Sequence, residues 1–136
     1  MVFEMTRIDH IGIATGSIEK SSKFWNMLGF EDSGDEIVES QGVKIRYLKG
    51  EDATRVELLE PLSEDTPVGQ FIIKRGVGVQ QIAVSVKNID EMISRLIGNG
   101  IRMINEAAVE GSDGHRIAFI HPASTGGVLV ELVESH

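Results

Sequence analysis

Cysteine is absent from this chain of 136 residues, which excludes a disulfide framework and any thiolate metal site. Cations are the minority charge: 13 lysines and arginines against 21 aspartates and glutamates leave a formal net charge of −8. Nonspecific nucleic-acid binding needs a basic surface, so no nucleic-acid partner is expected. An anionic ligand would need a local cluster of cations. Lys74 with Arg75, Lys44 with Arg46, Arg102 and Arg116 are the candidates, although such residues usually stand as solvated surface charges. No apolar stretch approaches the ~20 residues that span a bilayer, so no membrane partner is expected. The opening residues lack the charged and apolar regions of a secretory signal, and a cytoplasmic location is the default expectation. Hydrophobic content of 41% and charged content of 25% are those of a globular protein, and the length suits a single domain, 1–136.

What the chain does have is an internal repeat. Ile8-Asp9-His10-Ile11-Gly12-Ile13-Ala14 recurs as Val79-Gln80-Gln81-Ile82-Ala83-Val84-Ser85, a shift of 71. Ile45-Arg46-Tyr47-Leu48 resembles Ile117-Ala118-Phe119-Ile120 at a shift of 72, and Val56-Glu57-Leu58-Leu59 resembles Val130-Glu131-Leu132-Val133 at a shift of 74. The copies run over about 6–60 and 77–134. Each opens with an alternating strand, in which Ile11 and Ile13 face one way and His10 and Gly12 the other. A helix follows. Ser17 is its expected N-cap in the first copy, with Ile18 and Trp25 on the buried face and Gly29 at its end. In the second copy Asn88 and Glu91 resemble a capping box ahead of the stripe Ile89, Met92, Ile93, Leu96, Ile97. Three strands complete each copy, over 30–38, 43–49 and 54–59, then 101–107, 115–121 and 128–134. Thr66-Pro67 opens a short connecting helix from Val68 to Lys74. The expected fold is α+β: two βαβββ repeats forming a curled mixed sheet around a metal-binding cleft at the seam of the copies.

The repeat also aligns polar residues: His10 with Gln81, and Glu57 with Glu131. Each glutamate sits between aliphatic neighbours, so alternation puts its carboxylate on the face opposite them, the face of His10 and Gln81 if the copies are equivalent. A carboxylate on a concave sheet face is costly unless paired, wet or bound to a metal. Two carboxylates, an imidazole and an amide make a cage for a divalent cation, suiting Zn, Co, Ni, Mn or Fe better than copper(I) or an iron–sulfur cluster. A lone strand histidine is more often hydrogen-bonded within the structure, and a lone strand glutamate more often faces solvent. Four repeat-related positions favour the metal. His115, in the Gly111-Ser112-Asp113-Gly114 loop, and His121, before a proline, read as surface loop residues.

The pattern resembles the vicinal oxygen chelate superfamily (glyoxalase, bleomycin-resistance and dioxygenase proteins), and its motifs look like the methylmalonyl-CoA epimerases within it. The resemblance covers nearly the whole chain. It is carried by the segment Arg7 to Ala14, by Gln41-Gly42-Val43, by Val56-Glu57-Leu58-Leu59-Glu60-Pro61, and by Phe119-Ile120-His121-Pro122 running on to Gly127-Val128-Leu129-Val130-Glu131-Leu132. It implies metal ligation by His10, Glu57, Gln81 and Glu131, with Co, Zn, Ni or Mn as the ion. The family usually has a second histidine at Gln81, and some members carry an acid at the place of Ile45.

The implied reaction is epimerisation of methylmalonyl-CoA by α-proton abstraction through a metal-stabilised enolate. Glu131 is the expected catalytic acid–base, with Glu57 as the partner candidate. The resemblance further implies an acyl-CoA thioester substrate and a homodimer; the CoA arm is expected to leave over loop residues, with Lys74 and Arg75 as candidate neighbours that no spacing argument selects. A glyoxalase I-type lyase and a metal-free small-molecule binding protein of the same fold are the alternatives; the retained glutamates count against the second.

Overall fold

The computed structural model describes residues 5–135. They form two compact units, one spanning His10–Gln81 and the other Ile82–His136 together with Met1–Asp9. The elements are β1 (Arg7–Ala14), α1 (Ile18–Met27), β2 (Glu31–Val38), β3 (Val43–Lys49), β4 (Arg55–Pro61), α2 (Pro67–Arg75), β5 (Gly78–Val86), α3 (Ile89–Gly98), β6 (Val109–Glu110), β7 (Arg116–Ile120) and β8 (Val130–Glu134). The βαβββ order of both repeats is therefore present, in an α+β fold. No helix among the described residues is long and apolar enough to cross a membrane.

In the first unit the strands lie in the order β2-β3-β4-β1, with β1 and β4 parallel and the β2–β3 and β3–β4 pairs antiparallel. One face packs on α1 through Ile18, Leu48, Val56 and Leu58, flanked by Ile13, Trp25 and Phe30. The other face is not left open along its length. At one end α2 covers Ala14, Val43, Ile45 and Leu59 with Val68, Phe71 and Ile72. His10, Gly12 and Glu57 continue that same face beyond the apolar end.

Helix α1 starts where Ser17 Oγ accepts from the Lys20 amide at 3.2 Å, as a cap should. A second acceptor arrives from β4: Glu60 Oε1 takes the Ile18 amide proton at 2.8 Å. Gly29, at φ +107, ends the helix by donating to the Asn26 carbonyl, and the Phe30 amide reaches back to Trp25. On the same side Arg46 of β3 binds both Asp35 oxygens, at 2.8 and 2.9 Å, Glu19 Oε1 at 2.8 Å and Ser22 Oγ at 3.2 Å. One guanidinium thus ties β2, β3 and α1 together.

In the second unit the order is β5-β8-β7-β6, β5 and β8 running parallel. Ile89 and Ile93 of α3 are buried against Val86, Met103, Ala118, Ile120 and Leu132, with Met92 and Leu96 half-buried. Ile97, expected in the stripe, is 43% exposed. Asn88 Oδ1 caps α3 by accepting from the Glu91 amide at 3.1 Å. The capping box is not closed: the Glu91 carboxylate accepts from Arg95 instead. Glu134 Oε2 supplies the second cap, on the Ile89 amide at 3.0 Å, as Glu60 does in the first unit.

The strand expected over 101–107 does not form. Met103 makes one bridge to Ile120, and then the Asn105 side chain takes the Phe119 amide at 2.8 Å. A side-chain oxygen replaces the carbonyl that a strand would offer, the ladder stops, and pairing resumes only in the two-residue β6. The connecting helix is as expected, with Thr66 capping the Gly69 amide and Pro67 in its first turn.

The hydrogen bond from Arg46 holds the Asp35 carboxyl below its usual value of 3.8. A depressed carboxylate contributes stability above its unfolded value and loses it as pH falls through the folded one. Arg46→Met should therefore lower stability at pH 7 by about 1 kcal/mol, the upper range for partly exposed pairs. The deficit should shrink as pH is lowered below 3.8. Urea melts at pH 7 and pH 3 check this; an equal deficit at both would assign the loss to packing of the arginine stem.

Candidate active site

The site face of the first unit is set by strand period and register. His10, Gly12 and Ala14 share one side of β1, and Gly12 stands opposite Glu57 on β4. Glu57 stands in turn opposite Tyr47 on β3. His10 is 3% exposed and Glu57 2% exposed, so an imidazole and a carboxylate are both withdrawn from water. Such groups must find partners. His10 Nδ1 lies 3.2 Å from Glu57 Oε2. A carboxylate only accepts, so Nδ1 is the donor of that pair. The Gln81 amide nitrogen lies 3.4 Å from the His10 Nε2.

Gly12 makes this convergence possible. A Cβ built there would sit 2.6 Å from Gln81 Cγ and 3.0 Å from Leu59 Cδ1. Only a residue without a side chain lets Gln81 lie across β1 toward His10.

Two further residues complete the cluster. Arg55, two places before Glu57 and hence on the same face, donates from Nη2 to Glu57 Oε2 at 3.2 Å. Its guanidinium lies 5.1 Å from the centroid of the Tyr47 ring, a cation–π arrangement. The Tyr47 hydroxyl donates to Glu36 Oε1 at 2.6 Å. Sequence reasoning singled out neither Arg55 nor Glu36. The period of two could have found Arg55; Glu36 needs the β2–β3 register.

His10, Glu57 and Gln81, three of the four residues expected at the metal, thus come together in one unit. Glu131 belongs to the other unit. It is buried on β8, in register with Ala83 of β5 and Phe119 of β7, on the face of Ile117 and Val133. Ile45 is buried in the apolar cluster under α2, as its side chain requires. His115 and His121 serve the backbone: His115 Nδ1 lies 3.0 Å from the Glu134 carbonyl, and His121 Nδ1 accepts from the Ala123 amide. Lys74 and Arg75 are exposed in the last turn of α2, where cations suit the helix dipole. The donor set fits a divalent metal ion, because an imidazole nitrogen of His10 and a carboxylate oxygen of Glu57 lie 3.2 Å apart, with an amide alongside.

The fold is that of a known class. The chain belongs to the glyoxalase/bleomycin resistance protein/dioxygenase superfamily, whose family model matches residues 9–119. Within that class the named relatives are methylmalonyl-CoA epimerases. The human mitochondrial methylmalonyl-CoA epimerase is 33% identical over 136 residues, covering 98% of this chain and 77% of that protein. A Streptomyces coelicolor methylmalonyl-CoA epimerase variant, solved with 2-nitronate-propionyl-CoA, superposes with a TM-score of 0.92 at 38% identity, covering 97% and 96% of the two chains. The uncharacterised protein YqjC of Bacillus subtilis is 39% identical over 131 residues, covering 96% and 93%.

Gly12→Ala should force Gln81 off His10 and destabilise the fold by ~1–3 kcal/mol, the usual cost of overpacking. Denaturant melts report the loss, and histidine-selective NMR reports the displaced amide at the His10 ring. Unchanged stability with unmoved His10 signals would show that Gln81 does not pack over Gly12.

Proposed function

We propose that this protein is a metal-dependent methylmalonyl-CoA epimerase, which inverts the α-carbon of a malonyl-type acyl-CoA thioester by removing and returning a proton. The observation that carries the reading is the buried His10–Glu57 pair with Gln81 beside it, in a chain 98% of which aligns with a protein bearing that epimerase name. The lyase and the metal-free binding protein are not favoured by relatives of this coverage.

The proposed ligand set is His10, Glu57, Gln81 and Glu131. The first three rest on their convergence in one unit, and Glu131 rests on the repeat that matches it to Glu57. A divalent ion held there, Co, Zn, Ni or Mn, supplies Lewis-acid stabilisation for the negative charge that develops on the thioester oxygen. The chain's own residues do the rest. His10 and Glu57 lie side by side, Nδ1 3.2 Å from Oε2, so both can offer a ligand atom to one ion. Arg55 and His10 hold the Glu57 carboxylate in place, each 3.2 Å from Oε2. Glu131 is the proposed general base, taking the α-proton, with Glu57 as the weaker candidate. The reading extends to a homodimer in the cytoplasm, the CoA arm lying near Lys74 and Arg75.

Metal-loaded protein in D2O should exchange the α-proton of methylmalonyl-CoA and interconvert its epimers, and chelation should stop both until metal is returned. Glu131→Gln keeps volume and removes the base, so turnover should fall by roughly 10²–10⁴. Near-normal turnover would move the role to Glu57.

Gln81 offers a separate check. An imidazole is a better ligand than an amide oxygen for the softer first-row ions, so Gln81→His should bind zinc or cobalt more tightly in a metal titration. Unchanged affinity for every ion would remove Gln81 from the ligand set.

A further inference from the structure

Helix α1 packs one side on its sheet and turns the other to solvent, and that outer side is apolar. Phe24 is 54% exposed, Met27 80% and Leu28 60%. Residues three and four apart are neighbours on a helix surface, so the three form one patch around Phe24. A solvated helix normally carries polar residues on that side. The second copy of the repeat provides the comparison within the chain. At the repeat shift of 71, the inward Ile18 and Trp25 correspond to Ile89 and Leu96 of α3, which also pack inward. The outward Phe24, Met27 and Leu28 correspond to Arg95, Gly98 and Asn99. The fold therefore does not require the patch.

The patch is also rigid. The Phe24 ring meets Trp25 edge-on with centroids 5.5 Å apart, and Trp25 meets Phe30 in the same way at 5.6 Å. Trp25 and Phe30 rest in turn on the cluster under α1. An aromatic ring held in this way loses little freedom when a partner covers it.

Charge indicates what covers it. Lys20 and Lys23 are exposed toward the N-terminal end of the patch, and Glu31 and Asp32 are exposed beyond its C-terminal end. Opposite charges at opposite ends make the surface complementary to itself when it is turned end for end. The midpoint of Phe24 and Met27 in the chain is also the midpoint of Lys20 and Glu31. A twofold axis there would lay Phe24 of each copy on Met27 of the other and bring Lys20 toward Glu31 at both ends. An anionic lipid surface offers no such match, because it would repel the acids.

We infer that the exposed face of α1 is the contact surface for a second copy of this chain, packed antiparallel across a twofold axis at the middle of the helix. The inference rests on the homodimer part of the proposed function and is independent of its chemistry.

Sedimentation over a wide range of protein concentrations tests it. Phe24→Arg combined with Leu28→Asn installs the residues that α3 carries at the same places, so the fold should be kept, and a urea melt checks that it is. The dimer dissociation constant should rise by roughly a hundredfold or more, as it does when a central aromatic anchor is lost, here on both copies. Lys20→Glu and Glu31→Lys exchange exposed charges without touching the core, and each alone should weaken the dimer several-fold. Mixed together, these two single variants should form a heterodimer tighter than either homodimer, because opposite charges then face each other at both ends. Should the double variant fail its melt, the mixture decides alone. A dimer that withstands Phe24→Arg with Leu28→Asn, or a mixture with no preference for the heterodimer, would overturn this surface and leave the homodimer reading standing. A wild type that stays monomeric at every concentration would overturn both and assign the patch to a different occupant.

Discussion

A carboxylate that is 2% exposed governs the first unit. Withdrawing the charge of Glu57 from water costs several kcal/mol unless other groups replace the lost hydration. Two of them do so from one side: His10 Nδ1 and Arg55 Nη2 each lie 3.2 Å from the same Glu57 oxygen. The demand spreads outward. His10 turns Nδ1 to Glu57 and Nε2 to Gln81. Gln81 can reach only because residue 12 is glycine, and Arg55 is kept in place by the Tyr47 ring that stands beside Glu57 in the ladder. Removing any one member takes a partner from another, so these polar residues behave as a unit and not as separate substitutable positions.

The two faces of the C-terminal strand of each repeat divide the labour. In Val56-Glu57-Leu58-Leu59-Glu60 the two glutamates are three apart, so they lie on opposite faces of β4. Glu57 enters the polar cluster, and Glu60 crosses to the helix side and caps α1. The second unit repeats the device with Glu131 buried and Glu134 capping α3. A carboxylate at a helix N-terminus satisfies a free amide and meets the positive end of the dipole. One short strand therefore both fixes the helix on its outer face and presents an acid on its inner face. This couples the position of the acid to the packing of the helix and explains why a five-residue pattern survives in both copies.

Much of this was legible because it is periodic. Alternation in β1 and β4 was enough to put His10 and Glu57 on one face, and the repeat pointed to Gln81. The helix ends were legible for the same local reason: Ser17, Thr66 and Asn88 are caps by residue type. Contacts that cross between strands were not legible. Glu36 reaches Tyr47, and Tyr47 meets Arg55, only through the registers of β2 with β3 and β3 with β4, and a bulge between Asp32 and Asp35 shifts the first of these. The missing strand near Met103 failed for a related reason. Its apolar residues alternate well enough, but the Asn105 side chain competes for the Phe119 amide, and no pattern of hydrophobicity records that choice. Coverage of Ile45 by α2 was likewise hidden, since the connecting helix could be placed in the chain but not against a face.

Charge completes the picture for an anionic substrate. A chain of net charge −8 repels a CoA thioester at long range, but at physiological salt that repulsion is screened beyond ~8 Å. What counts is the field inside the site. There the Glu57 carboxylate is matched by Arg55, whose Nη2 lies 3.2 Å from Oε2. A divalent ion added to that cluster would leave a local positive field, in surroundings where water is excluded and electrostatic interactions are strong. Arg55 thus has a consequence beyond holding a side chain still. Without it the Glu57 charge would spend part of the ion's field; with it, that field remains for the charge that develops on the substrate as the α-proton leaves.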